Sequence, residues 1–281
     1  MQWWCSASGK PWTWDPQYYV GVWLVVAVLA VAFHALSRRA RALGESRLVY
    51  WGGWSAVGLV WQVLDWPIGP LAAGYLASAH AVQFLSLALV APPLMLLAVR
   101  RPVAASMTNM GGEGAMHRAL EFVTHPVVAG VVFNLVAITT HVPAVVDALM
   151  PTQAGAFVID LAWLAGGLVL WWPVIVHAPR RPWFSVPVAM LYLFLATLFH
   201  TGIAMVMLIR EFPMYGIYEL APPWPVWSPL EDQHLAGGVM ELAGAAVIFG
   251  IITVMFFRWS GGVSGEAAPP APPAPPAPPR D

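Results

Sequence analysis

Seven long apolar stretches divide this chain, near residues 18–36, 48–66, 72–99, 126–149, 154–177, 183–209 and 234–257, and more polar or Pro/Gly-containing connections separate them. Each is about as long as, or longer than, the roughly 20 apolar residues a helix needs to cross a hydrocarbon core of about 30 Å. In lipid a spanning backbone must satisfy its own hydrogen bonds, which selects helices. The pattern therefore predicts an all-α integral membrane bundle of seven transmembrane helices in a lipid bilayer. Ahead of it, residues 1–17 read as an aromatic-rich segment, and after it residues 259–281, with four APP triplets, read as a disordered Pro/Ala-rich tail of polyproline character.

Composition supports the membrane reading. Of 281 residues, 59% are hydrophobic and 10% charged, and sixteen are Trp, whereas soluble domains carry about a quarter charged residues. Arginine then orients the bundle. Arg38, Arg39, Arg41 and Arg47 lie in the first connection, Arg100, Arg101 and Arg118 in the third, Arg180 and Arg181 in the fifth, and Arg258 and Arg280 after the last stretch. The opposite side keeps Lys10 and Arg210 and carries Asp15, Asp65, Asp147, Glu211, Glu219, Glu231 and Asp232. By the positive-inside rule the N-terminus is outside and the C-terminus cytoplasmic. Trp3, Trp4, Trp12, Trp14, Tyr18 and Tyr19 then form an aromatic belt at the outer interface. No basic region precedes the first apolar run, so the first helix is expected to be its own insertion signal. The net charge of −1 and the absence of a basic stripe give no sign of nucleic-acid binding.

Against this apolar background, polar residues of one depth stand out. His80, His141, Asp160, His200 and Glu241 fall on five different stretches, roughly 9–14 Å below the outer rim at 1.5 Å per residue, with His234 at the rim itself. Ionisable groups in a membrane are costly and mark ion sites, proton paths or mutual pairing. For any one of these histidines a buried imidazole bonded to a neighbouring helix is the commoner role; the group as a whole points to a metal site. Imidazole with nearby thioether suits copper, and Met205, Met207 and Met240 lie close in sequence, although Met is equally the adaptable filler of apolar cores. His34, His117, His125 and His177 belong to the inner ends, where imidazole is an ordinary interfacial group. Cys5 is the single cysteine and forms no internal disulfide.

Several classes are excluded. Lys10 is the sole lysine, so no membrane helix offers a Schiff base for retinal. No P-loop, no glycine-rich nucleotide fingerprint, no CxxC or HExxH cluster and no nucleophile beside a base is present, and an enzyme is not expected. Gly166, Gly167, Gly237 and Gly238 read as close-packing positions, and Pro92, Pro93, Pro173 and Pro187 as kinks. The segment from Arg210 to Gln233, rich in Pro, Trp and Tyr, is expected to lie across the outer mouth of the bundle.

The strings SAHAVQFLSLALVAPPLMLLAVRRP, HPVVAGVVFNLVAITTHVPAVVDALM, LAGGLVLWWPVIV, LYLFLATLFH with PMYGIY, and SPLEDQHLAGGVMEL resemble, in order and spacing, the CtaG family of cytochrome c oxidase assembly factors, over about residues 72 to 245. The resemblance implies a multi-pass membrane protein that helps mature a caa-type oxidase, with copper supply the role usually inferred, and an oxidase subunit or a copper chaperone as partner. It also shows departures. Phe84 stands where the family places a second His in the third helix, Asp160 near a frequent His, and Glu241 near a Trp. Three readings follow. An assembly factor would handle copper at the outer side through His80, His141, His200 and His234, with Asp160 and Glu241 as auxiliary or orienting groups. A metal-free scaffold or accessory subunit would pair these residues with one another. A haem- or quinone-binding protein would place two histidines face to face across helices.

Overall fold

The computed structural model describes residues 2–109, 114–177 and 183–266, and among them only helices and their connections occur. In chain order these are α1 (Val20–Ala42), α2 (Arg47–Leu64), α3 (Ile68–Gly74), α4 (Ala77–Leu85), α5 (Ala91–Asn109), α6 (Ala115–Val123), α7 (Pro126–Thr139), α8 (Pro143–Leu149), α9 (Gln153–Trp172), α10 (Val186–Ile209), α11 (Gly216–Glu219) and α12 (Pro229–Glu266). A π-helical turn at Ser86–Val90 joins α4 to α5, and a second at Pro173–His177 extends α9. The widened turns have a visible cause. Pro92 lacks an N–H and crowds the carbonyl of Ala88, four residues back inside the first widened turn, which relieves both; Pro173 opens the second. Gly167 of α9 is laid against the backbone of Ala88 in the first π turn, where a side chain would collide.

The all-helical expectation holds, and five helical runs are long and apolar enough to cross a membrane: Val20–Ala42, Ala77–Met107, Gln153–Val176, Val186–Ile209 and Pro229–Gly261. A sixth arises if α6 and α7, bent by 69°, count as one span. Of the seven stretches expected, α2 is an 18-residue helix diluted by Gly52, Gly53, Ser55, Gly58 and Gln62. The stretch 126–149 is broken at Thr140–Val142: Pro143 pushes Val142 into an extended conformation (φ −67°, ψ 125°), so α7 ends after 14 residues. Similarly, the stretch from residue 72 is broken at Tyr75–Leu76 between α3 and α4. Helix α12 runs on to Glu266, into the segment read as a tail; residues 267–281, with the APP triplets, and likewise Arg180 and Arg181, lie outside the described residues.

α10 lies along α12, α1 and α2 pack on α5, α4 on α12 and α7 on α9. One end of this bundle is strapped by two irregular segments. Residues 2–19 cross it, held where the Trp3 and Trp4 amides donate to Gln153 Oε1 (2.6 and 3.3 Å) and Ala7 N donates to the Met150 carbonyl (3.2 Å). This corrects the expected aromatic belt. Trp14 and Tyr18 are exposed, but Trp4 (1% exposed) and Tyr19 (2%) belong to the core. The second strap is the segment after α10, pinned through α11.

Candidate functional site

The two helix breaks decide the site. His80 sits in the first turn of α4, just after the Tyr75–Leu76 break, and His141 lies in the break between α7 and α8. The shared level expected of them holds, but at the ends of short helices instead of two to three turns down long ones. Their rings meet at 5.8 Å between centroids, inclined by 71°. Both side chains are buried, at 5% exposure.

Around the pair stands an aromatic box. Trp163 packs on His80 (4.7 Å) and stacks on His141 (5.9 Å, 28°), while Phe84, one turn along α4 from His80, meets His141 edge-on at 4.8 Å. Trp163 is fixed by donating Nε1–H to Thr140 Oγ1 (2.8 Å). That hydroxyl donates in turn to the Val136 carbonyl at the end of α7 (2.8 Å). His141 Nδ1 lies 2.7 Å from the Ala137 carbonyl, which makes Nδ1 the protonated nitrogen and leaves Nε2 as the lone-pair nitrogen. His141 Nε2 and the ring nitrogens of His80 are buried without a well-formed hydrogen bond, the nearest protein acceptor to His80 being the Ala72 carbonyl that already takes the Tyr218 hydroxyl. Buried nitrogens of this kind are normally paired, so their concentration at one spot marks the pair as a ligand-binding candidate.

The loop segment forms the lid over the pair. Asp147 accepts from the amides of Gly216 and Ile217 (3.1 and 3.0 Å), fixing the start of α11. From there Tyr215 donates to the His141 carbonyl (3.0 Å), and Tyr218 donates to the Ala72 carbonyl (2.7 Å) with its ring 6.0 Å from His80. Burial pushes both phenols well above their ordinary range, assisted by Asp147 beside Tyr215 and by Tyr215 and Asp232 beside Tyr218, so both stay protonated donors. Asp232 accepts from the amides of Ala77 and Ser78 and from the Ser78 hydroxyl, capping α4 and holding His80 in place. Gln233 accepts from Met214 N (2.6 Å) and donates to the Met207 carbonyl (3.3 Å). The expectation that this segment crosses the mouth of the bundle is met.

The other expected site residues are dispersed. His200 is across Phe84 from the pair, with ring centroids 5.8 Å apart. Its other face fills the space left by Gly244. With Glu241 it lines a cleft of about 50 Å³ between α10 and α12, open past Phe194, Leu198 and Phe249. Asp160 accepts from Trp4 Nε1 (2.8 Å), and its other oxygen is buried without a partner. His234 Nε2 is 2.9 Å from the Arg210 carbonyl. Met207 and Met240 pack in the apolar core. Cys5 is buried, donates to the Leu64 carbonyl (3.2 Å), and is held far above the ordinary thiol range by burial and then by Asp160 and Asp65; as a protonated thiol it is a poor metal ligand. His117 pairs with Glu121 (3.3 Å), and His34 and His125 pack on Trp54 and Trp183 at other places. Among the described residues, no group of three or more His, Cys, Asp and Glu side chains is positioned to hold a metal ion.

Trp163, Tyr215, Tyr218, Asp147 and Asp232 were not singled out by sequence reasoning as parts of the site. Their roles depend on partners 23 to 155 residues away, and the usable signal was only that Asp147, Tyr215, Tyr218 and Asp232 fall in strings already marked by the resemblance, with Trp163 just ahead of one.

A family model described as cytochrome c oxidase caa3 assembly factor (Caa3_CtaG) matches residues 27–261, most of the chain. No curated protein and no solved structure matches. This chain belongs to the Caa3_CtaG family of cytochrome c oxidase assembly factors.

Proposed function

We propose that this assembly factor handles copper for its oxidase at the outer side of a bacterial plasma membrane, with His80 and His141 as the binding pair. The observation that carries the proposal is the facing of two buried imidazoles that have nitrogens without a well-formed hydrogen bond. Metal–nitrogen bonds are about 2 Å long, so a ring separation of 5.8 Å suits two imidazoles sharing one ion. A two-nitrogen set in an apolar box favours Cu(I), which accepts low coordination and soft surroundings. Each residue then has a task. Asp232 positions His80 through the start of α4, Thr140 and the Ala137 carbonyl set the His141 ring and tautomer, and Trp163, Phe84 and Tyr218 exclude water. The lid built on Tyr215 and Tyr218 is the element that has to move for the ion to pass to an oxidase subunit or from a copper chaperone. His200, with Glu241 behind it, is a second imidazole station across Phe84; Asp160 and His234 support the straps.

The topology proposed with it is seven spans, counting α2 and the bent α6–α7 pair, with the strapped end outside. The arginines support it: Arg38, Arg39, Arg41, Arg47, Arg100 and Arg101 all stand at the end opposite the straps.

A metal-free scaffold is the second reading, and Phe84 favours it, since this ring fills the space between His141 and His200. Oxidase activity, copper content and protein level measured together decide. Under the copper reading, His80→Ala and His141→Ala lower oxidase activity while the protein still accumulates, and added copper partly restores it. Normal activity in the doubly substituted protein overturns copper handling and leaves the scaffold.

A further inference from the structure

Helix α2 buries one side against α1 and α5; its other side carries Leu48 (83% exposed), Trp51 (65%), Ser55, Gly58 and Gln62 in successive turns. What sets this face apart from the exposed faces of α1 and α10 is its run of Ser55, Gly58 and Gln62 leading to a buried carboxylate. A side chain added at Gly52 or Gly58 would meet nothing within 4 Å. Near the strapped end the face deepens into a groove of about 440 Å³ lined by Ser55, Gly58, Leu59, Trp61, Gln62, Asp65 and Trp66. At its head, Asp65 is 7% exposed. One carboxylate oxygen accepts from Trp61 Nε1 (3.0 Å), and the other is buried with no partner, as is Trp66 Nε1.

We infer that this groove is a docking site for a single transmembrane helix of a partner protein, one that brings small residues to Gly58 and a hydrogen-bond donor to Asp65. Small residues let helix backbones approach closely in a membrane, and polar side chains bond across the contact; an ionisable group at a membrane helix is stabilised by pairing. A second copy of this chain is disfavoured by symmetry. Two copies related by an axis along the membrane normal would bring Asp65 against Asp65 at one depth, with like charges facing. The partner helix therefore carries the complement, a hydroxyl, amide or cationic donor near its outer end. Because the chain belongs to an oxidase assembly family, the oxidase is the source of that helix. The inference rests on the proposed placement of α2 in the membrane and is independent of copper.

The test uses full-length protein in cells that make the oxidase. A photo-crosslinking residue at Gly58 or Gln62 is expected to attach to one membrane helix of an oxidase subunit, identified by its peptides, whereas the same probe at Val28 of α1 or Leu242 of α12 is not. Gly58→Phe, whose Cβ meets nothing within 4 Å and which fills the groove, is expected to reduce co-purified oxidase roughly tenfold, the scale of an overpacked contact, at unchanged protein level. Asp65→Leu should act in the same direction, and Asp65→Asn, which keeps an acceptor, should retain more of the complex than Asp65→Leu. Adducts only with lipid, adducts only with a second copy, or undiminished co-purification by Gly58→Phe would each overturn the inference. A water-soluble maleimide reaching a cysteine placed at Ser55 would overturn it together with the topology, while a His80 and His141 double variant that keeps the α2 adduct separates docking from copper handling.

Discussion

The two ends of the bundle are held in different ways. At the strapped end, side chains far apart in sequence close on backbone groups and on each other: Trp4 on Asp160, Asp232 on Ala77 and Ser78, Asp147 on Gly216 and Ile217, Tyr218 on Ala72 and Tyr215 on His141. At the opposite end the α1–α2 connection relies on Glu45, whose carboxylate meets Arg100 (2.9 Å) and Arg101 (3.0 Å), both nearly half exposed. Buried polar contacts are costly to leave half-made; the Glu45 carboxylate is itself buried, but its two arginine partners stand nearly half in water, which screens the pairs and leaves no buried charge behind when Glu45 is removed. The more heavily tied end is the one that carries the His80–His141 pair, which is where a fixed geometry matters.

This contrast breaks most visibly at Trp4. Trp4→Ala removes a fully buried indole and leaves Asp160 with neither oxygen paired, and should destabilise the protein by about 3–5 kcal/mol, read as a lower thermal midpoint in detergent. A loss no larger than that of a surface substitution would mean that the N-terminal strap is loosely attached. Asp232→Ala comes next. It releases the α4 cap and should cost about 3 kcal/mol, and it should lower any copper content along with stability because His80 rides on that turn. At the other end Glu45→Ala should cost only about 1 kcal/mol and leave copper content unchanged. Equal losses for Asp232→Ala and Glu45→Ala would erase the distinction between the ends.

Two substitutions sharpen the comparison within the strapped end. Phe84→His places a third imidazole between His141 and His200, and is expected to raise the copper retained after purification above wild type; an unchanged copper content would favour the scaffold. The smallest effect concerns pH. The Cys5 thiol is held above its ordinary value of about 8.5 in the folded protein, so folding favours the protonated form. Stability from this group is therefore fully present below the unfolded pKa and declines as pH rises through and beyond it. Alkylation of Cys5 should stay slow at pH 8 and quicken only when the strap opens, and fast labelling at pH 8 would show that the strap is already loose.

Much of this was legible along the chain. Apolar length alone gave an all-helical membrane bundle, because in lipid a backbone has few other ways to satisfy its hydrogen bonds, and the family was readable from the spacing of short strings. Depth also brought His80 and His141 into one candidate group, since groups at one level in a bundle can meet, without singling them out as a pair. Depth carries no rotation, however. It grouped Asp160, His200 and Glu241 with the pair, whereas Asp160 binds Trp4 and Glu241 accompanies His200 in a side cleft.

By itself, then, the sequence determined that the chain is helical, where most of its apolar helices lie, and that turns loosen at Pro92 and Pro173; the breaks at Tyr75–Leu76 and before Pro143 were not foreseen, and Pro187, read as a kink, opens α10 in its first turn. The tertiary structure alone decided which of those side chains face one another, because helix rotation and the course of the straps are set by contacts such as Gly167 on Ala88 and Asp232 on Ser78. Such contacts join residues tens to more than a hundred positions apart, and no local periodicity encodes them.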